Sequence, residues 1–284
     1  MSIFRTSFAL MALFRTVNLT VIIPFESYGN PEMEGTKPKK FRTLYLLHGF
    51  GGSESDWMDY TNLRAISEEN NLAIVLPAAE NSFYENWGGI GANYSDFVGK
   101  ELVDFTRRAF PLSDRREDTF IGGLSMGGFG ALRLGSLYHE TFGKIFSFSG
   151  AFIVDNIQGQ KPGYKDMIAD YDYYTRAFGD LDHVKWTEKD PLYCLDEAIK
   201  AGDVPKIYQA VGTEDFLLKE NRAMHEALLK RHIPVSYHES KGTHNWTFWN
   251  EYLPKAVKWL LTGKEDSSAD SRDEKMITLP GNGH

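Results

Sequence analysis

The residues most able to do chemistry lie at 120–130, F-I-G-G-L-S-M-G-G-F-G, which contains Gly123-Leu124-Ser125-Met126-Gly127. A G-x-S-x-G of this kind places a serine on a sharp strand-to-helix turn with its hydroxyl thrust above a sheet. The positions two before and two after the serine then crowd against neighbouring backbone, and only very small side chains fit there. Gly123 and Gly127 supply them. The motif alone recurs by chance, but here a β-rich run precedes it and a helical pattern follows. Ser125 is therefore the candidate nucleophile.

A nucleophilic serine needs donors for the oxyanion that forms when it attacks a carbonyl. The backbone N–H of Met126, at the start of the following helix, is one. The second is expected from the loop after the third strand, His48-Gly49-Phe50-Gly51-Gly52, where Phe50 is the first candidate and Gly51 the second. The serine also needs a base, and the base needs an acid, in the chain order serine, acid, histidine. After the seventh strand and before the C-terminal tail the histidines are His225, His232, His238 and His244. The first two fall in a helical pattern and the third in a strand. His244, in the loop G-T-H-N-W, lies just after the last strand. The acid is expected after the seventh strand, in Gly212-Thr213-Glu214-Asp215-Phe216. Asp215 is favoured over Glu214, which is expected to face solvent. The four histidines are seven, six and six residues apart, with no H-E-x-x-H, so no metal site is expected and no cofactor is needed. Trp87, in Y-E-N-W-G-G at 84–89, and Trp246 are candidates to contact substrate together with Gly51.

These residues need a frame to bring them together. Strand-like runs stand at 3–10, 14–24, 42–48, 72–77, 118–124, 143–149, 206–211 and 234–239, the first two as a hairpin. Short apolar runs such as R-T-L-Y-L-L-H and L-A-I-V-L-P read as strands buried on both faces. Helical patterns fill 56–70, 94–110, 126–140, 216–232 and 247–261. Strands alternating with helices predict an α/β fold, an eight-stranded, mostly parallel sheet covered by helices on both sides. The stretch 151–201, rich in Tyr and Asp, is too long for a plain connection and is expected to be a cap-like insertion after the sixth strand, bordering the site. Residues 1–263 then form one catalytic domain. Residues 264–284, short of large apolar side chains, read as a disordered tail.

Composition narrows the remaining classes. The chain has 284 residues, 42% hydrophobic and 25% charged, enough for a large core. Thirty-one basic against 39 acidic residues give a net charge of −8, which argues against nucleic-acid and anionic-membrane partners. Cys194 is the only cysteine, so neither an intrachain disulfide nor a cysteine-based metal centre can form. The apolar run S-F-A-L-M-A-L-F at 7–14 is cut short by Arg15 and followed by no small-x-small cleavage site. A cytoplasmic protein acting on a small-molecule ester is expected, with a homo-oligomer left open.

The succession L-L-H-G-F-G-G, G-G-L-S-M-G-G-F-G-A-L, G-T-E-D-F-L and G-T-H-N-W resembles the esterase D-like branch of the α/β-hydrolases over residues 1–263. That branch holds tributyrin, acetyl and feruloyl esterases, S-formylglutathione hydrolases and mycolyltransferases. The resemblance implies an α/β-hydrolase fold with Ser125 as nucleophile, Asp215 as acid, His244 as base and an oxyanion hole at Phe50 and Met126. It implies a serine carboxylesterase for short-chain or carbohydrate-linked (acetyl or feruloyl) esters. A thioesterase of the S-formylglutathione hydrolase type and an acyltransferase are the alternatives, and a non-catalytic binding protein comes last. S-formylglutathione hydrolases usually carry histidines where this chain has Leu124 and Phe129, which counts against that activity.

Overall fold

The computed structural model describes residues 1–25 and 40–264; the predicted tail lies outside the described residues. Eight strands form one sheet: β1 (Ser2–Leu10), β2 (Arg15–Ile23), β3 (Arg42–Leu47), β4 (Leu72–Pro77), β5 (Thr119–Leu124), β6 (Lys144–Phe148), β7 (Lys206–Gly212) and β8 (Val235–Ser240). Their spatial order is β1-β2-β4-β3-β5-β6-β7-β8. The β1–β2 and β2–β4 pairs are antiparallel, and every later pair is parallel. This is the expected sheet, hairpin included.

Period-two alternation divides the sheet's side chains between two cores. Tyr45, Leu47, Val75 and Ile121 point into one, against Phe129, Leu132 and Leu228. Leu44, Leu46, Ile74 and Phe120 point into the other, against Trp57, Leu63, Leu253 and Val257. Because both faces of β3 to β7 are buried, these strands read as continuous apolar runs rather than as alternating ones.

The helices match the expected segments with two informative departures. The pattern at 56–70 is two helices, α1 (Asp56–Tyr60) and α2 (Leu63–Glu69). Thr61 between them is extended and turns its hydroxyl back to the Trp57 carbonyl at 2.5 Å. Such side-chain bonds compete with the helical ladder. The pattern at 94–110 holds a π-turn, Phe97–Glu101, between α3 (Tyr94–Asp96) and α4 (Leu102–Ala109). Then come α5 (Met126–Leu137), α6 (Val154–Ile157), α7 (Tyr171–Phe178), α8 (Pro191–Ala201), α9 (Leu218–Lys230) and α10 (Trp246–Thr262). The long stretch after β6 is irregular up to residue 190 apart from α6, α7 and a short 3-10 turn. Its end, α8, packs along α5 and belongs to the layer covering the sheet. No helix among the described residues is long and apolar enough to cross a membrane.

The turn from β5 into α5 is crowded by backbone on both sides of the serine. A Cβ on Gly127 would lie 2.5 Å from the Leu47 carbonyl oxygen and 2.6 Å from that of His48. One on Gly123 would lie 2.6 Å from the Gly127 carbonyl. All these obstacles are backbone, so relief requires α5 to move off the sheet. Gly127→Ala is expected to cost about 1–3 kcal/mol by overpacking. At roughly 2–4 °C per kcal/mol for a chain of this size, the melting midpoint should fall by several degrees. Calorimetry checks this, and an unchanged midpoint would mean that the helix start is not so confined.

Candidate active site

Ser125 sits at the junction of β5 and α5 with φ 53° and ψ −119°. Positive φ is costly for a residue with a Cβ and persists only where its surroundings impose it. Here the Ser125 N–H donates to the Phe148 carbonyl at 2.9 Å, and its own carbonyl accepts from Phe129 and Ala151 N–H, each at 3.0 Å. Strand, helix and the loop after β6 thus pin one residue. From Thr119 to Ser136 every residue is buried except Ser125.

His244 lies between β8 and α10, and Asp215 lies just after β7. The imidazole Nδ1 is 3.1 Å and 3.0 Å from the two carboxylate oxygens. The Asp215 side chain is fully buried, whereas that of His244 keeps 19% of its surface exposed. The carboxylate is dry and the imidazole is reachable. Burial works to raise the Asp215 carboxyl. The hydrogen bond and charge of His244, the Leu217 N–H and the Ser149 hydroxyl outweigh it and hold the group below its ordinary value. The Leu217 N–H is 2.9 Å away. Glu214, next door, is exposed.

Behind the Asp215 carboxylate stands a group that the sequence did not signal. Ser149 is buried, with φ 47°, and its Oγ accepts the Trp249 indole N–H at 3.2 Å. The Trp249 ring also meets the His244 imidazole edge to face, with centroids 5.1 Å apart. Phe216 covers the imidazole from another side at 4.6 Å.

Ser125 and His244 share a cleft of about 190 Å³ with Phe50, Phe83, Met126, Ala151, Met167, Ile168 and Phe216. The structure therefore brings Ser125, Met126, Phe50 and His244 to one place, with Asp215 against the imidazole. It does not bring Gly51, Trp87 or Trp246 onto the cleft wall. The Gly51 N–H is held by the Asn81 side-chain oxygen at 2.6 Å. Trp87 donates its indole N–H to the Ser82 carbonyl and packs on Tyr94, Tyr173 and Arg176. Trp246 packs on Trp57, Tyr60 and Trp249. Packing claims the two indoles, and a hydrogen bond holds the glycine. The cleft is walled instead by Met167 and Ile168, in a turn that Asp166 holds by accepting from the Ile168 and Ala169 N–H groups and from the Tyr174 hydroxyl. Of the other histidines, His225 stacks on Tyr237 and His238 on Tyr208.

His48 opens the Phe50 loop from inside. It is 1% exposed. Its Nε2 accepts from the Ala79 N–H at 3.0 Å, which assigns the ring proton to Nδ1, 2.8 Å from the Gly49 carbonyl. Its own carbonyl accepts from the Tyr84 hydroxyl at 2.8 Å. The ring ties the loop to residues 79–84 as a neutral imidazole.

A family profile described as putative esterase matches residues 20–260. An acetyl esterase of Caldicellulosiruptor saccharolyticus is 38% identical over 262 residues, 92% of this chain and 98% of the relative. Among solved structures, a substrate-bound fluorophosphonate-binding serine hydrolase of Staphylococcus aureus superposes with a TM-score of 0.79 at 29% identity. An S-formylglutathione hydrolase of the same organism superposes with a TM-score of 0.77 at 30% identity, and each alignment covers 92% of this chain and 98% of the other. The sheet, its helices and these neighbours define the α/β-hydrolase fold. The chain belongs to the esterase family and is a carboxylic ester hydrolase.

The His48 arrangement carries a pH dependence. Burial holds its imidazole below the ordinary value of 6.5, against the opposing hydrogen bond to Gly49. In the window beneath about 6.5 the unfolded chain therefore binds the proton and the folded one does not. Stability from this group is complete above that value and is lost as pH falls through the window. Ring ¹⁵N shifts should show His48 as the neutral Nδ1–H tautomer at pH 6. An imidazolium signal at that pH would contradict the assignment.

Proposed function

We propose that this esterase works through Ser125 as nucleophile, His244 as base and Asp215 as its orienting acid, on esters of short acyl chains, acetyl foremost. The observation carrying the reading is the strained turn that leaves Ser125 alone unburied, beside the imidazole whose Nδ1 is committed to a dry carboxylate. With Nδ1 so held, Nε2 takes the serine proton as Oγ attacks the ester carbonyl. The Met126 N–H at the start of α5 and the Phe50 N–H serve the oxyanion. The loop's other N–H groups support Phe50 as the donor, since Gly51 gives its proton to Asn81 and Gly52 gives its own to the Gly49 carbonyl. Each oxyanion donor contributes on the order of 3 kcal/mol. The imidazolium then protonates the leaving alcohol. Water, activated by the same ring, releases the acid.

The short-chain reading rests on the cleft and on the relatives. Pockets for drug-sized ligands run to about 300–1,000 Å³, and this cleft, of about 190 Å³, is lined by Phe50, Phe83, Ile168 and Phe216. The likeness to an acetyl esterase points the same way. A thioester reading also has support, in the likeness to an S-formylglutathione hydrolase despite Leu124 and Phe129 at the elbow.

Ser125→Ala should remove activity with the fold intact, and a fluorophosphonate probe should label the peptide containing Ser125. Residual turnover at a tenth of wild type, or a label elsewhere, would reject the nucleophile. Asp215→Asn should cost about 10⁴ in turnover where geometry survives, and Glu214→Gln almost nothing; the reverse ranking would move the acid. Across a panel from acetyl to octanoyl esters with S-formylglutathione included, kcat/KM should peak at the shortest oxygen esters. A peak at octanoyl would refute the size argument, and one at the thioester would select the second reading.

A further inference from the structure

The loop carrying Phe50 is not held by its own turn alone. Gly51, at φ +79°, donates its N–H to Asn81 Oδ1 at 2.6 Å, from a segment thirty residues away. The Asn81 carbonyl in turn accepts the Tyr173 hydroxyl at 2.6 Å, from α7 in the insertion after β6. The Tyr173 ring lies edge-on to Phe50, with centroids 5.4 Å apart, and also touches Phe83 and Trp87. The segment holding Asn81 is itself constrained: Glu80, Phe83 and Tyr84 all have positive φ, at 50°, 51° and 58°. None is glycine, so the conformation is imposed by tertiary contacts.

Two further links show which way the constraint acts. The Phe83 N–H lies 3.3 Å from Met126 Sδ, at the start of α5. Asp170, the cap of α7, accepts the Tyr173 N–H at 2.9 Å and so fixes the start of the helix that delivers the hydroxyl. The same insertion presents Met167 and Ile168 to the cleft. One segment thus walls the acyl site and grips the loop from which one oxyanion donor is to come.

We propose that Asn81, gripped from behind by Tyr173, is a positioning residue for the Phe50 loop, so that the insertion after β6 sets the geometry in which a tetrahedral oxyanion is received. The inference rests on the assignment of Phe50 as a donor under Proposed function. Asn81 touches no reacting atom in this scheme. It acts by fixing the peptide next to the donor, where a displacement of about an ångström costs on the order of 100-fold in rate.

The test uses the full chain carrying Asn81→Leu, Tyr173→Phe or both, with a short-chain ester as substrate. A trifluoromethyl ketone that adds reversibly to a serine hydroxyl reports oxyanion binding directly. Asn81→Leu should lower kcat by about 10- to 100-fold, with KM within threefold. The inhibition constant for the ketone should rise in proportion to the loss in kcat/KM. Tyr173→Phe keeps the ring contacts and loses one hydrogen bond, so it should show the same pattern more weakly, at several-fold. Because the two act in series, the double variant should be no worse than Asn81→Leu. A KM effect alone, an unchanged ketone constant, or losses that multiply in the double variant would overturn the proposal. If Asn81→Leu fails to fold, the Tyr173→Phe pattern decides it. Ser125→Ala separates the two levels of argument: activity surviving there fells the esterase mechanism itself, whereas a dead Ser125→Ala beside an unaffected Asn81→Leu fells only the relay.

Discussion

The close approach of α5 to the backbone of β3 and β5 is the constraint on which the site depends. Gly127 lies so near the Leu47 and His48 carbonyls that a methyl group could not be inserted. Only with the helix seated there can the chain turn within one residue, and the strain of that turn falls on Ser125 at φ 53°. A relaxed turn would need more residues and would let the hydroxyl wander. The fold therefore trades backbone strain for position, and the hydrogen bonds of Ser125 to Phe148, Phe129 and Ala151 hold the trade in place.

The same logic explains what could be read from the sequence. The central strands β3 to β7 were legible because burial on both faces demands unbroken apolar runs. The elbow was legible because its steric requirement is local and admits one residue type at two fixed positions. Asp215 and His244 were legible because parallel strands deliver their C-terminal ends to one edge of the sheet, so the loops after β7 and β8 must meet. By contrast Ser149, Asn81 and the insertion residues Ile168 and Tyr173 come from three separate segments, and nothing in their spacing announces that they converge. Trp87 and Trp246 lie off the cleft wall for a related reason. An aromatic next to a motif is close in sequence, but its ring goes where packing takes it, here onto Tyr173 and Trp57. The pattern at 56–70 failed at Thr61, whose hydroxyl competes locally with the helix.

Sequence could foretell the ionisable types at Asp215 and His244, but not how dry each would be. The Asp215 carboxylate is wholly out of water and is satisfied by His244 and Leu217, while the imidazole remains reachable. An unpaired buried carboxylate would be costly and would take up a proton. Paired in this way it stays ionised, and its direction is fixed by the ring it orients.

A second buried pair shows what such groups are for when no reaction uses them. Arg133, two turns along α5 from Ser125, forms an ion pair with Glu85 at 2.7 Å, and both side chains are almost fully buried. Its remaining donors reach the Tyr84 and Glu188 carbonyls and the Ser95 hydroxyl. Burial pushes the Glu85 carboxyl up to about 7, against the pull of Arg133 and Lys189. The cost of desolvation thus exceeds the attraction, which makes the pair a poor source of stability. Its geometry accounts for it better. One guanidinium ties α5 to the segment around residues 84–95 and to the end of the insertion. Lys189 repeats the tie by donating to the Asn86 and Ala177 carbonyls. A hydrophobic cluster of equal volume would pack these three segments without fixing their register, because apolar contacts are non-directional. The directed hydrogen bonds of a buried cation set it, and the segments so fixed are those that carry Phe83 to the cleft and Asn81 and Tyr173 to the back of the Phe50 loop.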